Sequence, residues 1–109
     1  MIDDFNLNRR SRDRVNTKLP AQYFIKNKSM RYEGCTIINL SRTGAAVLVF
    51  SNEMLCKGAV VFLDVVIPKT FEQLTLRGEL KRVYAKGDMV VCGIKFEKIV
   101  PETTFHDLT

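Results

Sequence analysis

Apolar and polar residues alternate most clearly in the second half of this chain. Leu74, Leu76 and Leu80 alternate with Thr75, Arg77, Glu79 and Lys81. A period of two predicts a strand, Leu74–Leu80, with one wet face. Val90, Cys92, Ile94 and Phe96 share one face of a second such strand, Val90–Glu97. Lys86-Gly87-Asp88 between them reads as a tight turn. Gly44–Phe50 (GAAVLVF) is apolar on both faces and predicts a strand, as does Ala59–Ile67, which Pro68 closes. In Thr17–Lys26 the run Tyr23-Phe24-Ile25 favours extended structure, and Pro20 places the start or an edge there. Asn27-Lys28-Ser29 is a turn. Met30–Asn39 follows as a strand with Thr36, Ile37 and Ile38 near its end. Ser51–Gly58 can hold one helical turn, capped by Ser51 or Asn52 and stopped by Gly58. After Pro101 a short tail, Glu102–Leu108, can form a helix with Phe105 and Leu108 as its apolar contacts. Six short strands with turns between them predict an all-β antiparallel barrel or sandwich. In a domain this small, closure also protects the sheet edges.

The chain has 109 residues, 46% hydrophobic and 27% charged, which suits one globular domain. The longest apolar runs, Ala45–Phe50 and Ala59–Leu63, are far shorter than the roughly 20 residues of a membrane-spanning helix. The N-terminus reads Met-Ile-Asp-Asp, acidic where a signal peptide is basic, so a cytoplasmic location is expected. Cys35, Cys56 and Cys92 form no Cys-x-x-Cys pair, and His106 is the one histidine. No metal site is expected from this set. The thiols read as free, small, buried side chains. No glycine-rich phosphate loop and no Gly-x-Ser-x-Gly is present, and His106 sits in the tail. Nothing argues for catalysis, for a catalytic residue or for a cofactor.

Charge changes the picture at the N-terminus. The net charge is +5, and all of that excess lies within residues 1–31. Arg9, Arg10, Arg12 and Arg14 fall within six residues. Residues 1–16 therefore read as a mobile basic arm, with the barrel over residues 17–109. Such a cluster suits an anionic partner, although a basic tail that is merely solvated has the same composition.

Two motifs carry the functional signal. Arg10-Ser11-Arg12-Asp13-Arg14 is an Arg-x-x-x-Arg preceded by Arg9. Asn39-Leu40-Ser41-Arg42-Thr43-Gly44 is an Asn-x-Ser-x-x-Gly at the junction of two strands. Alone, the second is an ordinary turn in which Asn and Ser bond the backbone and Gly takes a positive φ. In this order, in an all-β chain of this size, the pair resembles the PilZ domain family, bacterial receptors for cyclic di-GMP. Val91-Cys92-Gly93-Ile94-Lys95-Phe96 is similar to the family's closing strand, so the resemblance covers nearly the whole chain. It implies a six-stranded antiparallel barrel with a short C-terminal helix.

The resemblance also implies a site made of Arg9, Arg10, Arg14, Asn39, Ser41 and Gly44. Arg10 and Arg14 would grip phosphate and guanine, because the planar guanidinium fork matches both groups. Asn39 can donate to and accept from a guanine edge. Ser41 can bond the base or brace the loop. Gly44 can serve the turn, the close approach of ligand, or both. Arg42 occupies a variable position of the motif and is left outside this set. In the family, an arginine at the position of Arg9 goes with an intercalated pair of ligands per domain. Binding would wrap the arm onto the barrel and present a changed surface to an unidentified downstream protein.

Three rivals remain open at this point. A barrel of the same fold can act as a protein-interaction module without nucleotide. The basic arm can dock on a membrane surface, although its apolar content is slight. A small basic barrel can bind single-stranded nucleic acid, but this needs aromatic platforms. The chain has no Trp, and Phe24, Phe50, Phe62 and Phe96 fall in runs that read as core. No nucleic-acid partner is therefore expected.

Overall fold

The computed structural model describes residues 14–109. The expected mobile arm, with Arg9 and Arg10, lies outside the described residues apart from its end. Six strands form: β1 (Val15–Ile25), β2 (Glu33–Leu40), β3 (Gly44–Phe50), β4 (Val60–Val66), β5 (Gln73–Lys86) and β6 (Met89–Phe96). They close into an antiparallel barrel in the order β1-β2-β3-β6-β5-β4. One helix, α1 (Glu102–Leu108), follows Pro101. Among the described residues no helix is long and apolar enough to cross a membrane.

Strand alternation fills the interior. Val61, Leu63 and Val65 of β4 point inward, as do Val47 and Val49 of β3 and Cys92, Ile94 and Phe96 of β6. Ile37, Leu40 and Leu63 are wholly buried, and burial stabilises each by about 1.5–3 kcal/mol. Val100 and Leu108 are buried in the same core, with Phe105 packed against it, so α1 plugs one end of the barrel. That end also receives the start of β1 and the β2–β3 turn.

Several element limits differ from expectation. β1 starts at Val15, because Val15 and Asn16 pair with Leu40 and Asn39. β2 starts only at Glu33. Asn27 takes a positive φ of 67° and the Ser29 hydroxyl accepts from the Ile25 amide at 2.8 Å, which leaves Met30 fully exposed in the hairpin connection. Ser51–Gly58 forms turns instead of a helical turn. Asn52 caps the Met54 amide at 2.9 Å and donates to the Tyr23 hydroxyl at 2.8 Å, and that anchor fixes the segment as a loop. β5 runs on to Lys86, past the end of its clean alternation, because its register shifts between Leu80 and Arg82.

Only Phe96 of the four phenylalanines read as core is buried. Phe50 is 71% exposed. Phe24 and Phe62 are cross-strand neighbours on the outer surface of β1 and β4, half-buried, with ring centroids 6.4 Å apart. Tyr32 lies 5.2 Å from Phe24, and the Arg77 guanidinium sits 5.5 Å from the Phe62 centroid. In Val60–Val66 three of the four outward positions, Val60, Phe62 and Val66, are apolar like the inward ones, so hydrophobicity alone does not mark Phe62 as outward.

The cysteines also divide. Cys92 is buried, Cys35 half-buried and Cys56 exposed, so the expectation of three buried thiols fails at Cys56, which belongs to the irregular 51–58 connection. Burial pushes the Cys35 thiol up to about 12 and that of Cys92 up to about 11, from an ordinary 9.0. Under native alkylation Cys56 should therefore be modified first. The folded barrel also keeps two protons that the unfolded chain releases above pH 9.0, so stability should fall as pH rises from there. Thermal melts across that range should show a fall that Cys35→Ala lessens; an identical fall in the variant would contradict this.

Candidate functional site

The β2–β3 turn is organised around one hydroxyl. Ser41, 9% exposed, accepts with Oγ from the amides of Thr43 at 3.2 Å and Gly44 at 3.1 Å. Its own amide donates to the Gly44 carbonyl at 2.9 Å. Its Oγ also lies 3.2 Å from the Thr43 hydroxyl. Of the two roles open to Ser41, the geometry provides the brace. Gly44 does not take the positive φ expected of it; among glycines only Gly58 and Gly87 do. What excludes a side chain there is the neighbouring strand. A Cβ at Gly44 would stand 2.5 Å from the Ile94 carbonyl oxygen, closer than β3 and β6 allow.

Arg42 faces the other way. Its Nε donates to the Val100 carbonyl at 2.8 Å, and the Val100 amide donates to the Arg42 carbonyl at 2.8 Å. Its guanidinium lies 3.9 Å from Glu102 at the start of α1. This side chain holds the C-terminal segment to the turn, so its place outside the expected ligand set has a structural reason.

Asn39 owes its position to a bulge. Ile37 pairs with Val47 but Asn39 pairs with Ala46, a shift of one residue. Without it Asn39 would share the inward face of Ile37; with it, Leu40 points in and Asn39 out. The outward Asn39 donates to the Asn16 side-chain oxygen at 3.2 Å.

These residues line one cleft on the outside of the barrel, of about 360 Å³, which runs from β2 across β3 and β6 to β5. Arg14, Asn39, Ser41 and Gly44 all border it. Arg9 and Arg10 lie outside the described residues. Ala46 and Gly93 form a low floor. The cleft also has residues absent from the expected set: Thr43, Lys81, Arg82, Tyr84 and Lys95. Lys95 occupies an outward slot of β6, as strand alternation places it. Lys81 continues the wet face of Thr75, Arg77 and Glu79, whereas Arg82 follows the β5 register shift, which alternation alone does not reveal. Arg14, Lys81, Arg82 and Lys95 put four cations around the cleft, and no carboxylate among the described residues lines it. Lys81 pairs with Glu79 at 3.1 Å, and the excess of cations along this rim attracts an anion. The volume lies in the roughly 300–1,000 Å³ span of small-ligand clefts.

The sequence profile of the PilZ domain matches residues 8–108. The chain belongs to the PilZ domain family. The barrel is also similar to solved PilZ structures. It matches the PilZ domain of CeSA from a cellulose-synthesizing bacterium with a TM-score of 0.60 at 20% identity, covering 87% of this chain and 89% of that one. It matches the Borreliella burgdorferi PlzA protein, solved in complex with c-di-GMP, with a TM-score of 0.60 at 19% identity, covering 98% of this chain and 44% of PlzA. It matches the Bacillus subtilis inhibitor of motility, MotI/DgrA, with a TM-score of 0.66 at 14% identity, covering 87% of this chain and 46% of MotI. The chain thus spans less than half the length of the last two. No curated protein matches it.

Two substitutions test the architecture of this PilZ turn. Gly44→Ala should destabilise the ligand-free barrel by about 1–3 kcal/mol, since β3 must shift off β6. Arg42→Ala should cost about 1–2 kcal/mol through the lost bond to Val100. Urea denaturation reads both; unchanged midpoints would contradict these roles.

Proposed function

We propose that this PilZ domain binds cyclic di-GMP in the cleft between β2 and β5. The observation that carries the reading is the cationic rim, lined by no carboxylate among the described residues, around a floor of small residues beside the Asn39–Gly44 turn. Cyclic di-GMP brings two phosphates and two flat bases to such a surface. Arg14 at the rim and Arg10 from the arm bond phosphate and guanine, for which the guanidinium fork is suited. Asn39 bonds a guanine edge. Ser41 and Gly44 act by keeping the turn in shape. Arg9 completes the site, and with it an intercalated pair of ligands per domain. The arm closing over the ligand alters the surface at the α1 end of the barrel, where a protein partner reads the signal. The binding of c-di-GMP by PlzA supports the ligand.

A thermal-shift titration with cyclic di-GMP, with GTP and cyclic di-AMP as controls, tests this. At 100 times the dissociation constant a single-site ligand stabilises by about 2.7 kcal/mol, on the order of 10 °C or more in a domain this small. Arg14→Ala should remove the shift and leave the ligand-free melting temperature within a degree or two, because Arg14 is exposed and precedes β1. No shift at millimolar cyclic di-GMP would favour an interaction module that binds no nucleotide.

One observation favours a second reading. Phe24, Phe62 and Tyr32 form an outer-face aromatic row next to Arg77, which restores the platform that single-stranded nucleic acid requires. Oligonucleotide binding that falls steeply with salt and is lost in Phe62→Ala would establish it. Binding insensitive to Phe62→Ala would assign the effect to the basic arm.

A further inference from the structure

Arg82 is delivered to the cleft by a backbone irregularity. Leu80 pairs with Ile94 but Arg82 pairs with Gly93, so β5 carries one extra residue between them. In regular alternation Arg82 would share the inward face of Leu80, where a guanidinium has no place. The bulge turns it outward. The β2 bulge does the same for Asn39. Asn39, Ala46, Gly93 and Arg82 then form one outward cross-strand row. The two polar ends stand about 14 Å apart along the curved sheet, three strand spacings. Between them lie only a methyl group and a glycine.

Gly93 matters to the arginine stem. A Cβ added there would lie 3.4, 3.7 and 3.9 Å from Cβ, Cγ and Cδ of Arg82, so the stem runs back along Gly93 over the floor. Arg82 is exposed and joins no ion pair among the described residues, unlike Arg77 and Lys81. A flat base resting on Ala46 and Gly93 would offer one edge to Asn39 and the other to Arg82. A guanidinium is matched by the O6 and N7 acceptors of guanine, whereas adenine puts an amino donor in place of O6.

We propose that Arg82 reads the O6/N7 edge of a guanine seated on the Ala46–Gly93 floor, opposite Asn39, and so sets base specificity at this site. The inference rests on the cyclic di-GMP reading above. It is tested by a cycle between residue and ligand atom. Affinities of the unaltered chain and of Arg82→Ala are measured by calorimetry for cyclic di-GMP and for its 7-deaza analogue, which lacks the N7 acceptor. Arg82→Ala should lose about tenfold or more in affinity for cyclic di-GMP. The 7-deaza change should weaken binding to the unaltered chain several-fold more than it weakens binding to Arg82→Ala, since Arg10 and Arg14 meet guanine in both proteins. Arg82→Lys, which keeps charge and a donor without the fork, should show a smaller 7-deaza penalty than the unaltered chain. An equal 7-deaza penalty in all three proteins would overturn the inference and make Arg82 a phosphate contact. Undiminished affinity of Arg82→Ala for cyclic di-GMP would overturn it as well. No binding of cyclic di-GMP by the unaltered chain would instead remove the reading of the whole site, and this inference with it.

Discussion

The Ser41 hydroxyl fixes the turn at which barrel closure, the outer cleft and the C-terminal segment meet. By accepting from the Thr43 and Gly44 amides it fixes a turn that four neighbours then use. On one side the turn follows directly on Asn39, which the β2 bulge puts on the outer surface. On another it lets β3 approach β6 at Gly44, and the Phe96 amide donates to the Thr43 carbonyl at 2.8 Å. Through Arg42 it holds Val100, and with it the segment leading to the helix that plugs the core. Ligand face, barrel closure and C-terminal plug therefore share one six-residue segment.

Electrostatics and sheet geometry act together at the cleft. A barrel's outer wall offers little depth, so a ligand must be held by its charge and by flat contact. Ala46 and Gly93 leave a level floor, and four cations stand around it. Two bulges, one in β2 and one in β5, turn Asn39 and Arg82 toward that floor. Bulges of this kind also curve and close a barrel; here the two stand at the two ends of one outward row.

Much of this was legible in the sequence because period-two patterning and turn chemistry are local. The third strand, Gly44–Phe50, is read without error, and β6 is displaced by one residue. The helix after Pro101 follows from Phe105 and Leu108. Arg14, Asn39, Ser41 and Gly44 could be singled out because two short motifs carry them, and the fold brings all four to one cleft. What escaped reading depends on pairing between strands. Arg82 lies past a bulge visible only against β6. The reason for Gly44 is the Ile94 carbonyl, fifty residues away in sequence, where the motif alone suggested a positive φ. Phe24 and Phe62 look like core because they sit in the apolar runs Tyr23-Phe24-Ile25 and Val60–Leu63, which span inward and outward positions alike; barrel closure turns both outward.

The location of the binding face is the central claim, and amide chemical-shift mapping tests it most directly. Cyclic di-GMP titrated into labelled protein should perturb Asn39–Gly44, Lys81–Tyr84 and Gly93–Lys95, and leave the Phe24 and Phe62 amides on the opposite wall in place. Perturbations confined to β1 and β4, or none at saturating ligand, would contradict the account.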